Sequence, residues 1–198
     1  MPELDDAVMD NVYKTLLQDR SQPLTEKVRI YSVEELLRAF HRQRQAIIAL
    51  LADLDDVQIN YNPDAENFSI SQIVSHLVTA QNGTYHAMLE LSQIVLPHLD
   101  HAAPIPGAGA RKDLSAAECR TILPAATEEL DEMMRQAARS DQTHVVEYPL
   151  FGKMNYKSWM LFQLWHDQDH LRQIRALTQN TGFPKKELPP IKDTMGIS

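Results

Sequence analysis

The chain has 198 residues, 43% of them hydrophobic and 23% charged, with a formal net charge of −8. That is enough chain to bury a core in one globular domain. The acidic balance excludes the broad basic face that DNA or RNA phosphates require. No apolar run reaches the roughly 18–20 residues of a bilayer span, and a lone cysteine, Cys119, excludes an internal disulfide.

Residues 1–31 read as a partly helical N-terminal extension. Val8, Val12, Leu16 and Leu17 share one side of a helix running to about Arg20, and Gln22-Pro23 breaks it. The first ten residues are acidic where a secretory leader would be basic. With one cysteine, that makes a cytoplasmic protein the expectation. Four longer helices follow over residues 32–182. The first starts at Ser32, with Glu35 as its capping-box partner, and carries Leu36, Phe40, Ile47, Leu51 and Leu54 to about Asp55-Asp56. The second starts at Ser69 with Gln72 and runs to about Leu96. The third starts at Ser115 with Glu118, runs to about Ser140 and contains Pro124, so it should kink or restart there. Cys119 falls inside this pattern and reads as a small core or boundary residue rather than a reactive thiol. The fourth helix runs from about Asn155 to Asn180, with Gly182 and Pro184 as its stop. The predicted fold is therefore all-α, a four-helix bundle, with an irregular tail over 183–198.

Two connections carry information. Pro97 to Asp113 is long and rich in Pro, Gly and Ala, whereas bundle connections usually take about 2–8 residues. It must cross the bundle or cover something. Val145 to Leu150 has the composition of a short extended segment, ended by Gly152.

The chemistry concentrates on the fourth helix. His166 and His170 are four apart, so both rings project from one face and can share a metal. They lie on a stripe Trp159, Gln163, His166, His170, Gln173, Leu177 that faces the bundle interior, apolar at its ends and polar in the middle. Buried polar groups cost free energy without partners, and a metal with a bound water explains all four economically. The second helix offers a matching stripe, Ile73, His76, Ala80, Gly83, Ala87 and Ile94, with His76 as its ionisable residue. The small residues Ala80 and Gly83 allow either close helix packing or a ligand pocket beside His76. Three neutral imidazoles leave a coordination position open, as catalytic zinc sites do, but they do not fix the metal, since imidazole suits Zn, Ni, Cu and Fe. The alternative is three ordinary hydrogen-bonded core histidines. Of the nearby carboxylates, Asp169 lies about 60° off the His166 direction, Asp167 points further away, and Glu90 sits at the margin. A di-iron site of the ferritin type needs two Glu-x-x-His motifs, and the nearest match on these helices is Asp167-x-x-His170.

The segment YPLFGKMNYKSWMLFQLWHDQDHLRQI (Tyr148 to Ile174), with its Pro–Gly turn and His-Asp-x-x-His-x-x-Gln-Ile core, resembles the C-terminal signature of the DinB superfamily. NFSISQIVSHLVTAQ (Asn67 to Gln81) resembles that family's second-helix signature, with Phe68 where a Trp often stands. The resemblance covers roughly Val33 to Gln179. It implies a four-helix bundle with a long crossover between the second and third helices. It also implies one divalent metal, commonly nickel or zinc, on residues matching His76, His166 and His170. Characterised relatives include bacillithiol S-transferases and mycothiol-dependent maleylpyruvate isomerase, and many others are described only as metal-dependent hydrolases. The expected activity is transfer of a low-molecular-weight thiol to a small-molecule substrate, with Gln163 and Gln173 orienting the bound group and Ala80 and Gly83 leaving room for it. A hydrolase and a non-catalytic metal-stabilised binding bundle stand as alternatives. The expected partners are small molecules, neither nucleic acid nor membrane, with a homodimer allowed.

Overall fold

The computed structural model describes residues 6–14, 24–64, 67–92, 113–139, 143–148 and 151–186. Helix α1 (Asp6–Tyr13) and a single turn α2 (Leu24–Lys27), extended by a 3-10 turn over Val28–Ile30, precede the bundle. The four long helices are α3 (Val33–Leu51), α5 (Ile70–Ser92), α6 (Ala116–Ala137) and α7 (Tyr156–Thr178), with a short α4 (Asp56–Ile59) after α3. Strands β1 (Val146–Tyr148) and β2 (Gly152–Met154) form an antiparallel hairpin before α7, with Glu147 opposite Lys153. Among the described residues, no helix is long and apolar enough to cross a membrane. Leu16, Leu17, the Gln22-Pro23 break, residues 97–112 of the long connection and residues 187–198 of the tail lie outside the described residues.

Each long helix starts where its capping residues place it. Ser32 accepts from the Glu35 amide at 3.2 Å, and the Glu35 carboxylate accepts from the Ser32 amide at 2.7 Å. Ser115–Glu118, Ser69–Gln72 and Asn155–Ser158 repeat this reciprocal arrangement. Three details differ from the sequence reading. The first long helix ends at Leu51, not near Asp55-Asp56. Asp55 instead caps a new turn, accepting from the Gln58 amide at 2.9 Å, so that acidic pair opens α4. Gly152 does not end a lone extended segment but opens β2 with φ +70°, a conformation that costs any residue with a Cβ. Finally, of the kink or restart expected at Pro124, the restart does not occur, since α6 runs through it as one helix.

The four long helices form a ring in which α3 and α5 each pack against both α6 and α7, while α1 lies on α7. The interior has two apolar halves. One holds Phe40, Met88, Leu130, Met134, Tyr156 and Leu164, and the other holds Ile47, Ile73, Leu77, Leu123, Ile174 and Leu177. Between them every helix contributes buried polar side chains: Arg44 from α3, Gln81 and Thr84 from α5, Thr127 from α6, and Gln163, Asp167 and His170 from α7. This polar layer is where the candidate site sits. Cys119 lies in the second apolar half. Burial, reinforced by the neighbouring Glu118, pushes its thiol up to about 11, which leaves it inert as a nucleophile.

Candidate metal centre

One turn of α7 separates His166 from His170, and α5 packs alongside with His76 facing them. The Nε2 atom of His166 lies 3.0 Å from Nε2 of His76 and 3.3 Å from Nε2 of His170. The ligand atoms of all three lie within 4.8 Å of one another, and among the described residues this is the group able to share an ion. Four ligands at zinc–nitrogen distances in a tetrahedron stand about 3.3 Å apart, which the two separations measured from His166 approach. Each neutral Nε2 is either a donor or an acceptor, so ring-to-ring hydrogen bonds and a shared cation are the two ways to satisfy these atoms, and a cation would take all three lone pairs.

The proton on His170 is placed by its neighbours. Gln173 donates from Nε2 to Asp169 Oδ2 at 2.7 Å, which turns its Oε1 toward His170 Nδ1 at 3.1 Å. His170 therefore donates from Nδ1 and presents an Nε2 lone pair to the centre. Burial, then the neighbouring His166 and His76 rings, push the His170 pKa down to about 3, so this imidazole stays neutral as a ligand must.

Behind His166 the polar layer is continuous. Arg44 reaches from α3 to grip Asp167 with two bonds, Nε to Oδ2 at 2.7 Å and Nη2 to Oδ1 at 3.0 Å, and both side chains are fully buried. Gln163 Nε2 donates to Asp167 Oδ1 at 2.8 Å, and Thr84 of α5 donates to Gln163 Oε1 at 2.5 Å. Burial opposes ionisation of Asp167, but the Arg44 guanidinium beside it prevails and holds the carboxyl below its ordinary range.

The structure thus brings together His76, His166 and His170. Gln163 and Gln173 are spent on protein groups, one on Thr84 and Asp167, the other on His170 and Asp169. Ala80 and Gly83, one and two turns along α5 from His76, are partly exposed, as are Phe162, Trp165, His166 and Asp169 on α7. The residues around the histidines are therefore only partly covered. Aromatic rings flank the histidines, Phe68 at 5.7 Å from the His76 ring and Phe162 at 6.1 Å from the His166 ring. The sequence reading missed Arg44 and Thr84. Arg44 was findable, because it occupies the step between Phe40 and Ile47 on the stripe that α3 buries.

The sequence profile of the DinB superfamily matches residues 39–174, which spans α3 through α7 and includes all three histidines. The chain is 24% identical over 143 residues to the uncharacterized protein YuaE of Bacillus subtilis (strain 168), a match covering 65% of this chain and 88% of the relative. No solved structure gives a significant match. With two thirds of its length under the family profile and a helical bundle carrying three converged histidines, the chain belongs to the DinB superfamily.

Proposed function

We propose that the chain holds one divalent metal ion, zinc or nickel, on His76, His166 and His170, and transfers a small thiol of the bacillithiol type to an electrophilic small molecule. The observation that carries this reading is the convergence of three Nε2 atoms at coordination spacing. A dipositive ion there supplies Lewis acidity that favours ionising a thiol at neutral pH. All three protein ligands are neutral, so an anionic partner is preferred, and a thiolate is the soft anion most available in a reducing compartment. In the transfer the thiol would give its proton to solvent water, its sulfur would bond to the electrophilic carbon, and the leaving group would depart with the electron pair of the broken bond. The partial exposure of Ala80, Gly83, Phe162 and His166 supports access of both substrates to the histidines. Phe68 and Phe162 offer apolar faces to the carbon skeleton.

The test begins with metal analysis of protein purified without chelator, which should find about one divalent ion per chain, lost in His170→Ala. Metal-loaded protein is then mixed with bacillithiol, mycothiol or glutathione and a chromogenic electrophile. At least one thiol should react faster, and the enhancement should vanish in His76→Ala. Stoichiometric metal in the triple histidine-to-alanine variant would sink the site. Ester or amide hydrolysis without thiol transfer would establish the hydrolase instead, and neither activity would make the chain a metal-stabilised binding bundle.

A further inference from the structure

We infer that Asp167, clamped by Arg44 and Gln163, is the positioning residue for His166: it receives the Nδ1 proton of that ring and so aims Nε2 at the centre. The inference rests on the metal reading above. His166 Nδ1 is buried and has no hydrogen-bond partner, and it lies 3.7 Å from Asp167 Oδ1. A buried ring nitrogen without a partner costs free energy and calls for an explanation. A ring rotation that moves this nitrogen by about 0.7 Å brings it to hydrogen-bond distance, about 3 Å. Asp167 accepts three hydrogen bonds, two from Arg44 and one from Gln163. A carboxylate has about four lone-pair positions, so one donor more is accommodated.

The surroundings distinguish this role from a plain ion pair. A buried pair is weak evidence for stability, since apolar residues of like size often replace one without loss. Here the pair sits between two apolar halves that would close over it. Its members come from α3 and α7, and Gln163 ties it to Thr84 on α5, the helix that carries His76. The two helices bearing the histidines are thus locked together behind the centre. His170 is oriented by the amide of Gln173. Asp167 is the acceptor nearest the buried Nδ1 of His166, whose other contacts are with the His76, His170 and Phe162 rings.

Cobalt(II) is the probe. Absorption titration of the wild-type chain should show one site. The Arg44→Met/Asp167→Leu double variant should keep its helical circular dichroism but bind cobalt about 10–100-fold more weakly, the range for loss of an outer-shell partner. An unchanged affinity overturns the inference while the metal site stands. A wild-type chain that takes up no cobalt overturns both. Should the double variant not fold, nitrogen-15 NMR of the zinc-loaded wild type decides. A slowly exchanging, downfield Nδ1 proton on His166 supports the assignment, and its absence, or ligation through Nδ1, overturns it.

Discussion

At position 44 an arginine takes a step that apolar residues take on either side of it, and it is fully buried there. Periodicity shows that this step faces inward, but not what faces it. The partner, Asp167, is 123 positions away and adjacent to a histidine that draws attention to itself. The three histidines were legible because their spacing within a helix is local and their stripes are regular. The role of the carboxylates was not, because it depends on which helix packs behind α7. The Arg44–Asp167 pair also has a pH signature. The folded pKa of Asp167 is depressed, so its contribution to stability is fully present above the unfolded carboxyl value of about 3.9 and lost as pH falls through the folded value. Between pH 5 and pH 2 the melting temperature of the wild type should therefore fall more steeply than that of Arg44→Met/Asp167→Leu. Parallel melting curves for the two would mean that the pair contributes nothing through ionisation.

Among the elements, the first three long helices were readable because each opens on a capping box, a signal confined to four residues, and the fourth from its stripe and its Gly182 and Pro184 stop. The elements that sequence reading missed are short and made by tertiary context. The single turn α4 exists where Asp55 caps Gln58, and it serves the start of α6: Asp56 Oδ1 accepts from the Ala116 amide at 2.6 Å, and Asn60 donates to the Leu114 carbonyl at 3.1 Å. Strand β2 has three residues and is defined by its pairing with β1, which no local pattern encodes. Pro124 shows the converse, a breaker overridden by the packing of Leu123, Ala126 and Leu130 on either side of it. Because α6 is capped both by its own Ser115 and by Asp56, Ser115→Ala should cost about 1 kcal/mol rather than unravel the helix. Calorimetry should record that as a loss of about 2–4 °C in melting temperature. A drop of 10 °C or more would show that Ser115 holds the start of α6 almost alone.

In the whole molecule, a bundle with two apolar halves and a polar layer between them has its stability and its chemistry in different places. Leu36, Phe40, Ile47, Ile73, Leu77, Met88, Leu123, Leu130 and Ile174 are all buried without reference to the histidines, and they come from all four long helices. Packing of such faces is what stabilises helices in proteins, so the expected fold stands without an ion at the centre. The three imidazoles nevertheless converge only in the folded chain, because His76 is 90 positions from His166. An ion bound there stabilises the folded state alone, by about 2.7 kcal/mol when its free concentration is 100 times its dissociation constant. Chelation should therefore lower the melting temperature by several degrees while the far-ultraviolet circular dichroism keeps its helical shape. Adding zinc back should restore the transition in wild type but not in His170→Ala. An apo chain with no cooperative transition and no helical signal would place the ion among the supports of the fold. That result would contradict the open, three-ligand site argued from His76, His166 and His170.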